Sequence, residues 1–209
     1  MKKALVVYGG WEGHYPKDIA EMFAGLLEQS DVRVTLSDTL DAFSSVDDLR
    51  QYQLIVPHWT QGDITSEQFA ALRQAVHDGV GLAGIHGGMG DAFRNVPEYQ
   101  YMVGGQWVAH PGNDGVTYGV NIVDKEHVIT AGISDFTVTS EQYYMHIDPA
   151  IHTLATTNFG EVAMPVAWTK TYGAGKVFYH SLGHKPDIVA MPEVTRLTIQ
   201  GMLWAAADN

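Results

Sequence analysis

Among the side chains able to do chemistry in this 209-residue sequence, the ten histidines stand out, because several lie just past apolar runs. His14 closes Gly9-Gly10-Trp11-Glu12-Gly13-His14, and His58 follows Leu54-Ile55-Val56-Pro57 and precedes Trp59. His86 centres Gly84-Ile85-His86-Gly87-Gly88, and His184 ends His180-Ser181-Leu182-Gly183-His184. Imidazole titrates near neutrality, so it serves as general base, general acid or metal ligand. The GIHGG string has the form of a nucleophile elbow, a strand-to-helix turn whose central side chain projects while glycines keep neighbouring Cβ atoms away. Its centre here is His86, which offers neither hydroxyl nor thiolate. A carboxylate is available in Glu141-Gln142-Tyr143-Tyr144-Met145-His146-Ile147-Asp148. If that stretch is extended, Glu141, Tyr143 and Met145 share one face, with His146 and Asp148 on the other. If it loops, Glu141, Tyr143 and His146 can converge. A carboxylate beside two imidazoles would raise their pKa values or complete a His/His/Glu metal shell. Trp11, Trp59, Trp107 and Trp168, with Tyr143 and Tyr144, offer stacking platforms for sugar rings. His110-Pro111 is a weaker site candidate, and His77, His127 and His152 read as solvated.

Such residues act together only on a scaffold that collects them. Lys3 to Tyr8 is a continuous apolar run stopped by Gly9-Gly10, as a buried parallel strand would be. Ile19, Met22, Phe23, Leu26 and Leu27 then make one helical stripe, with Pro16 in the first turn. Val32 to Leu36 alternates as a second strand, and Gln53 to Pro57 is a third. Thr65 and Gln68 form a capping box ahead of the helical stripe Phe69, Leu72 and Val76, which ends at Gly79. Val80 to Ile85 is a fourth strand, small and apolar on both faces. Residues 1–90 thus read βαββαβ, an open parallel sheet covered by helices, whose ligands bind beyond the carboxyl ends of the strands. Val116 to Val123, Val162 to Trp168 and Lys176 to Tyr179 read as later strands, the last two joined through Tyr172-Gly173-Ala174-Gly175. A closing helix spans Pro192 to Ala206. Met89 to Gly115 lacks periodicity, and a long irregular segment inside a compact domain suggests function. With no repeat or linker, residues 1–209 are expected to form one domain.

Composition narrows the chemistry. Cysteine is absent, which removes disulfides, thiolate metal sites and thiol nucleophiles. Twelve basic against twenty-four acidic residues leave a net charge of −12, which repels phosphate backbones and anionic lipid. No nucleic-acid or membrane partner is therefore expected. No apolar run approaches the roughly 20 residues of a bilayer span, and the N-terminal run is short of the roughly 7 of a signal core. The expected location is the cytoplasm. GGWEG does not fit G-x-G-x-x-G, and no Walker A string occurs, so dinucleotides and nucleoside triphosphates are disfavoured.

Five strings carry a resemblance across nearly the whole chain: GGWEGH, GIHGG, GGQWVAHP at 104–111, EQYYMHIDP at 141–149 and VAWTKTYGAGKVFYHSLGH at 166–184. They resemble the ThuA family, the trehalose-utilisation protein and its relatives, which share the class I glutamine amidotransferase-like fold. The resemblance implies an α/β, flavodoxin-like three-layer α/β/α sandwich with a mostly parallel central sheet and a site at the elbow. Amidotransferases of this fold use a Cys–His–Glu triad. Here His86 stands where the thiol would sit, so glutaminase chemistry is not expected, and His184 follows the late strand roughly where the triad histidine would. The implied function is a carbohydrate-processing enzyme using acid–base or metal-assisted chemistry. His86, His184, Glu141 and Tyr143 are its expected catalytic residues. Glu12, His14, His58, Trp59, Gly87, Trp107 and His146 are its expected substrate contacts. His86, Glu141 and His184 are candidate ligands for a divalent metal, zinc first. The expected partner is a small carbohydrate, with a homo-oligomer left open. The alternative is a non-catalytic sugar-binding or interaction domain that lost its catalyst when the thiol position became histidine.

Overall fold

The computed structural model describes residues 1–207. Its first half runs β1 (Lys2–Gly10), α1 (Pro16–Glu28), β2 (Val32–Ser37), α2 (Val46–Leu49), β3 (Leu54–Thr60), α3 (Ser66–His77) and β4 (Gly81–Ile85). Next come α4 (His86–Gly90), α5 (Pro97–Val103), β5 (Gly105–Ala109), β6 (Val116–Ile122), β7 (Phe136–Ser140) and β8 (Tyr144–Ile147). The chain finishes with β9 (His152–Phe159), β10 (Val162–Tyr172), β11 (Gly175–His180), α6 (Pro186–Val189) and α7 (Pro192–Ala205).

Nine strands form one sheet in the order β2-β1-β3-β4-β11-β10-β9-β6-β7, with β5 and β8 paired separately. Pairing is parallel from β2 through β11 and antiparallel from β11 through β7. Successive residues of β1 show why helices must cover both faces. Ala4 and Val6 join one core with Ile19, Phe23 and Leu27 of α1 and Val194, Leu197 and Met202 of α7. Leu5 and Val7 join another with Phe69, Leu72 and Val76 of α3 and Tyr99 and Met102 of α5. A strand apolar on both sides cannot leave either side wet, so the sequence forces three layers. The Thr65 capping box forms, with Gln68 N–H donating to Thr65 Oγ1 at 3.2 Å and Gln68 Oε1 accepting from Thr65 N–H at 3.1 Å. Tyr172 pairs with Gly175 across the expected hairpin turn.

Three expectations need revision. β1 is not stopped by Gly9-Gly10 but runs through both glycines. β3 does not stop at Pro57 but runs to Thr60, paired with β1 as far as Gly10. Proline lacks the N–H that a central strand normally uses, which is why the strand reads as ending there. The stretch from Met89 to Gly115 is also less irregular than expected, since it holds α5 and β5. Among the described residues no helix is long and apolar enough to cross a membrane.

Candidate active site

The carboxyl ends of the parallel strands carry the site. Past β1, a 3₁₀ turn at Glu12–His14 directs His14 inward, where it is 5% exposed. His86 opens α4 straight from β4 with φ +47°, so the elbow exists with an imidazole at its apex. A left-handed backbone is costly for a side chain of this size and marks sites where function outweighs strain. His184, past β11, has φ +84°, and Gln61 and Asn113 at the same cavity are also left-handed. The glycines after His86 are needed for close approach. A Cβ on Gly87 would lie 2.6 Å from His14 Cε1, and one on Gly88 would lie 2.2 Å from His58 Nδ1.

The acid comes from the other half of the sheet. Glu141 lies between β7 and β8, 5% exposed, and its backbone carbonyl accepts from the Tyr118 hydroxyl at 3.0 Å. Ser140 donates to the Gly183 carbonyl at 2.9 Å, tying the strand of the acid to the loop of His184.

The centre is compact. Ligand-capable atoms of His14, His86, Glu141 and His184 all lie within 4.8 Å of one another. Glu141 Oε2 is 3.1 Å from His86 Nε2 and 3.9 Å from His14 Nε2, while Oε1 is 3.2 Å from His184 Nδ1 and 3.8 Å from His110 Nε2. His86 Nδ1 lies 2.8 Å from the Ser181 carbonyl, an acceptor only, so that nitrogen carries the proton and donates. Nε2 is then the lone-pair nitrogen, and the Tyr143 hydroxyl donates to it at 2.8 Å. His14 Nδ1 pairs with Thr60 Oγ1 at 2.8 Å, and His184 Nε2 faces Asp114 Oδ2 at 3.8 Å. Burial pushes the His86 pKa down to about 4 against the pull of Glu141. For Glu141, burial opposes ionisation, but the facing imidazoles of His14, His184 and His86 outweigh it and hold the carboxyl well below the usual range. Burial, with Tyr179 and Glu141 nearby, keeps the Tyr143 phenol protonated far above its usual pKa. At neutral pH the centre thus pairs an ionised acid with a neutral His86.

Above it opens a cavity of about 350 Å³ lined by, among others, Trp11, Gln61, Trp107, His110 and Asn113. The His110 ring lies parallel to Tyr143, with centroids 5.9 Å apart, and 5.4 Å from Trp107. Arg94 sits over Trp107 at 4.8 Å and is gripped by Asp91 through bonds of 2.6 and 2.7 Å.

Of the expected residues, His14, His86, Glu141, Tyr143, His184 and Trp107 meet at this centre or its cavity, and Gly87 leaves the space for His14. Others do not. Glu12 is exposed on the outside of its turn, and His146 is exposed on β8 because strand alternation turns Tyr143 and Met145 inward instead. His58 is an in-strand residue packed edge-on to Phe23 and behind Gly88, so it underlies the site rather than lining it. Trp59 folds against Gly9 and Gly62. Trp168 is core, donating its indole N–H to the Val103 carbonyl at 3.0 Å, and Tyr144 packs on Phe159. His110 is more central than its sequence suggests. Thr60, Asp91, Arg94 and Asp114 were not foreseen. Only Thr60 had a signal, as the true end of β3.

The sequence matches the ThuA family, described as trehalose utilisation, over residues 3–205. The chain belongs to the ThuA family. That membership supports a role in carbohydrate utilisation. Among solved structures, a ThuA-like protein from Parabacteroides merdae superposes with TM-score 0.79 at 20% identity, covering 99% of this chain and 90% of that one. A ThuA-like protein from Bacteroides uniformis gives 0.79 at 16% identity, covering 98% and 91%. A cytoplasmic protein from Salmonella typhimurium gives 0.73 at 16% identity, covering 96% and 97%. These likenesses establish the α/β fold. No curated protein matches the sequence.

Proposed function

We propose that this ThuA-family chain is an enzyme acting on a carbohydrate held in the cavity above His86, by acid–base or metal-assisted chemistry at the histidine–glutamate centre. The observation that carries this reading is the convergence of His14, His86, His110 and His184 on the carboxylate of Glu141 at one cavity. An ionised carboxylate among several imidazoles stabilises whichever ring takes up a proton, so it supports proton transfer to and from a bound hydroxyl or carbonyl. Tyr143 is a second proton donor, kept protonated by burial. Trp11 and Trp107 offer flat faces to a sugar ring, while Gln61, Arg94 and Asn113 offer hydrogen bonds to hydroxyls. The cavity volume lies at the lower end of the roughly 300–1,000 Å³ of small-molecule sites, enough for a sugar unit. With no thiol at the elbow, covalent acyl transfer from glutamine is not part of this reading; hydrolysis, elimination or isomerisation of a sugar derivative is. A cytoplasmic location belongs to the same proposal.

The test is to incubate trehalose and a panel of disaccharides with the protein and follow them by NMR. Turnover that falls by about 10²-fold or more in His86→Ala supports the reading. A wild-type protein that alters none of the panel, or a His86→Ala variant that is as fast, sinks it. The histidine at the elbow, where a nucleophile would stand, favours one rival, a non-catalytic sugar-binding domain. Thermal stabilisation by a sugar that is recovered unchanged would select that rival.

A further inference from the structure

We infer that the centre binds one divalent transition-metal ion through His14 Nε2, His86 Nε2, His184 Nδ1 and a carboxylate oxygen of Glu141. The inference stands on the geometry of these residues and does not require the carbohydrate reading.

The first support is orientation. A histidine that ligates metal has its outer nitrogen held by a carbonyl, carboxylate or similar acceptor, which fixes the ring and turns the other lone pair inward. Two rings are held in this way, His86 by the Ser181 carbonyl and His14 by the Thr60 hydroxyl, while His184 Nε2 faces the Asp114 carboxylate from 3.8 Å, beyond hydrogen-bond reach. The second is an unspent lone pair. His184 Nδ1 is buried and makes no well-formed hydrogen bond, although Glu141 Oε1 is 3.2 Å away. A ring nitrogen and a carboxylate oxygen at that distance, without a proton aligned between them, suit a shared cation. The third is scale. Bonds of roughly 2.0–2.2 Å to a tetrahedral ion put neighbouring ligand atoms about 3.4 Å apart. The Glu141 contacts of 3.1, 3.2 and 3.9 Å straddle that spacing.

Three imidazoles and one carboxylate suit zinc, cobalt, manganese or iron, and suit magnesium or calcium poorly. His110, further out, stays free of the ion and remains available for proton transfer at the cavity. The Tyr143 hydroxyl, which donates to His86 Nε2, is the one existing contact that competes with a metal for its lone pair.

The experiment strips the purified full-length chain with a chelator, then adds Zn²⁺ or Co²⁺ alone. Bound metal after dialysis, the cobalt visible spectrum and the melting temperature are read without any substrate. About one equivalent per chain with a raised melting temperature is expected. Thr60→Val keeps the shape of the buried side chain but loses the acceptor for His14, and should weaken binding roughly 10–100-fold. Glu141→Gln should bind more weakly still, and Tyr143→Phe at least as tightly as wild type. Wild type that retains neither ion overturns the inference. So does undiminished binding in Thr60→Val and Glu141→Gln, which would place the metal elsewhere. If Glu141→Gln does not fold, Thr60→Val decides alone. A chain that binds metal here and turns over no sugar leaves this inference standing and removes only the functional reading.

Discussion

The two buried histidines that the site does not use should govern how the protein tolerates acid. His58 is 2% exposed with both ring nitrogens lacking a well-formed hydrogen bond. His180 is fully buried, with Nε2 2.8 Å from Thr198 Oγ1 and Nδ1 unpaired. Burial, reinforced by the neighbouring His14 and His86, pushes the His58 pKa down to about 3, and burial beside His86 takes His180 to about 3. In the unfolded chain both return to about 6.5. A lowered folded-state value means that the unfolded state binds the proton first. Stability is therefore complete above pH 6.5 and is lost as pH falls from 6.5 towards 3. At pH 5 the unfolded rings lie 1.5 units into their titration, which at about 1.4 kcal/mol per unit is about 2 kcal/mol for each histidine. The perturbation is His58→Leu, which removes one proton site and leaves no polar partner stranded. At pH 7.5 the variant should lie within about 1.5 kcal/mol of wild type. Between pH 7.5 and pH 5 it should lose about 2 kcal/mol less than wild type. Urea unfolding of both proteins at the two pH values, with metal chelated throughout, measures the difference. Equal losses would refute the reasoning, because His58 would then be protonated in the fold or hydrated.

Gly87→Ala puts a Cβ 2.6 Å from the His14 ring, and overpacking of this kind costs about 1–3 kcal/mol. Calorimetry should show the loss, accompanied by weaker Co²⁺ binding as His14 is displaced. Thr65→Ala breaks the capping box of α3 and should cost about 1 kcal/mol, lowering the melting temperature by about 2–4 °C without touching metal affinity. Trp107→Ala removes a cavity wall and the ring under Arg94. Sugar affinity by titration calorimetry should fall about tenfold, as expected for about 1–1.5 kcal/mol of aromatic contact, with metal content unchanged.

Most of the parallel half of the fold can be read directly from the chain, since β1, β3 and β4, buried on both faces, carry apolar runs, while the edge strand β2 alternates. The same reading fails at Pro57, where a proline sits inside a central strand, and that error made His58 look like a loop residue. β5, β8 and β9 carry mixed polar residues on partly exposed faces, so their periodicity is faint. Glu141 could be singled out as the acid, and the alternation of Tyr143 and Met145 against His146 was one of two readings that the structure resolves in favour of the extended form. Asp91 and Arg94 left no trace, because a pair three residues apart in an aperiodic stretch resembles any surface ion pair. His110 suffers similarly, since its place depends on Tyr143, which stacks on it from a distant part of the chain.

The four grouped side chains belong to residues 14, 86, 141 and 184, so the centre draws on both the co-directional strands and the antiparallel extension. Neither portion holds the full donor set. A cation that recognises only the assembled quartet would favour the completed architecture over every partial one, by an amount that grows with its free concentration. The pocket would then act as a clasp between early and late segments of the polypeptide, and cellular ion supply would set the share of chains that stay folded.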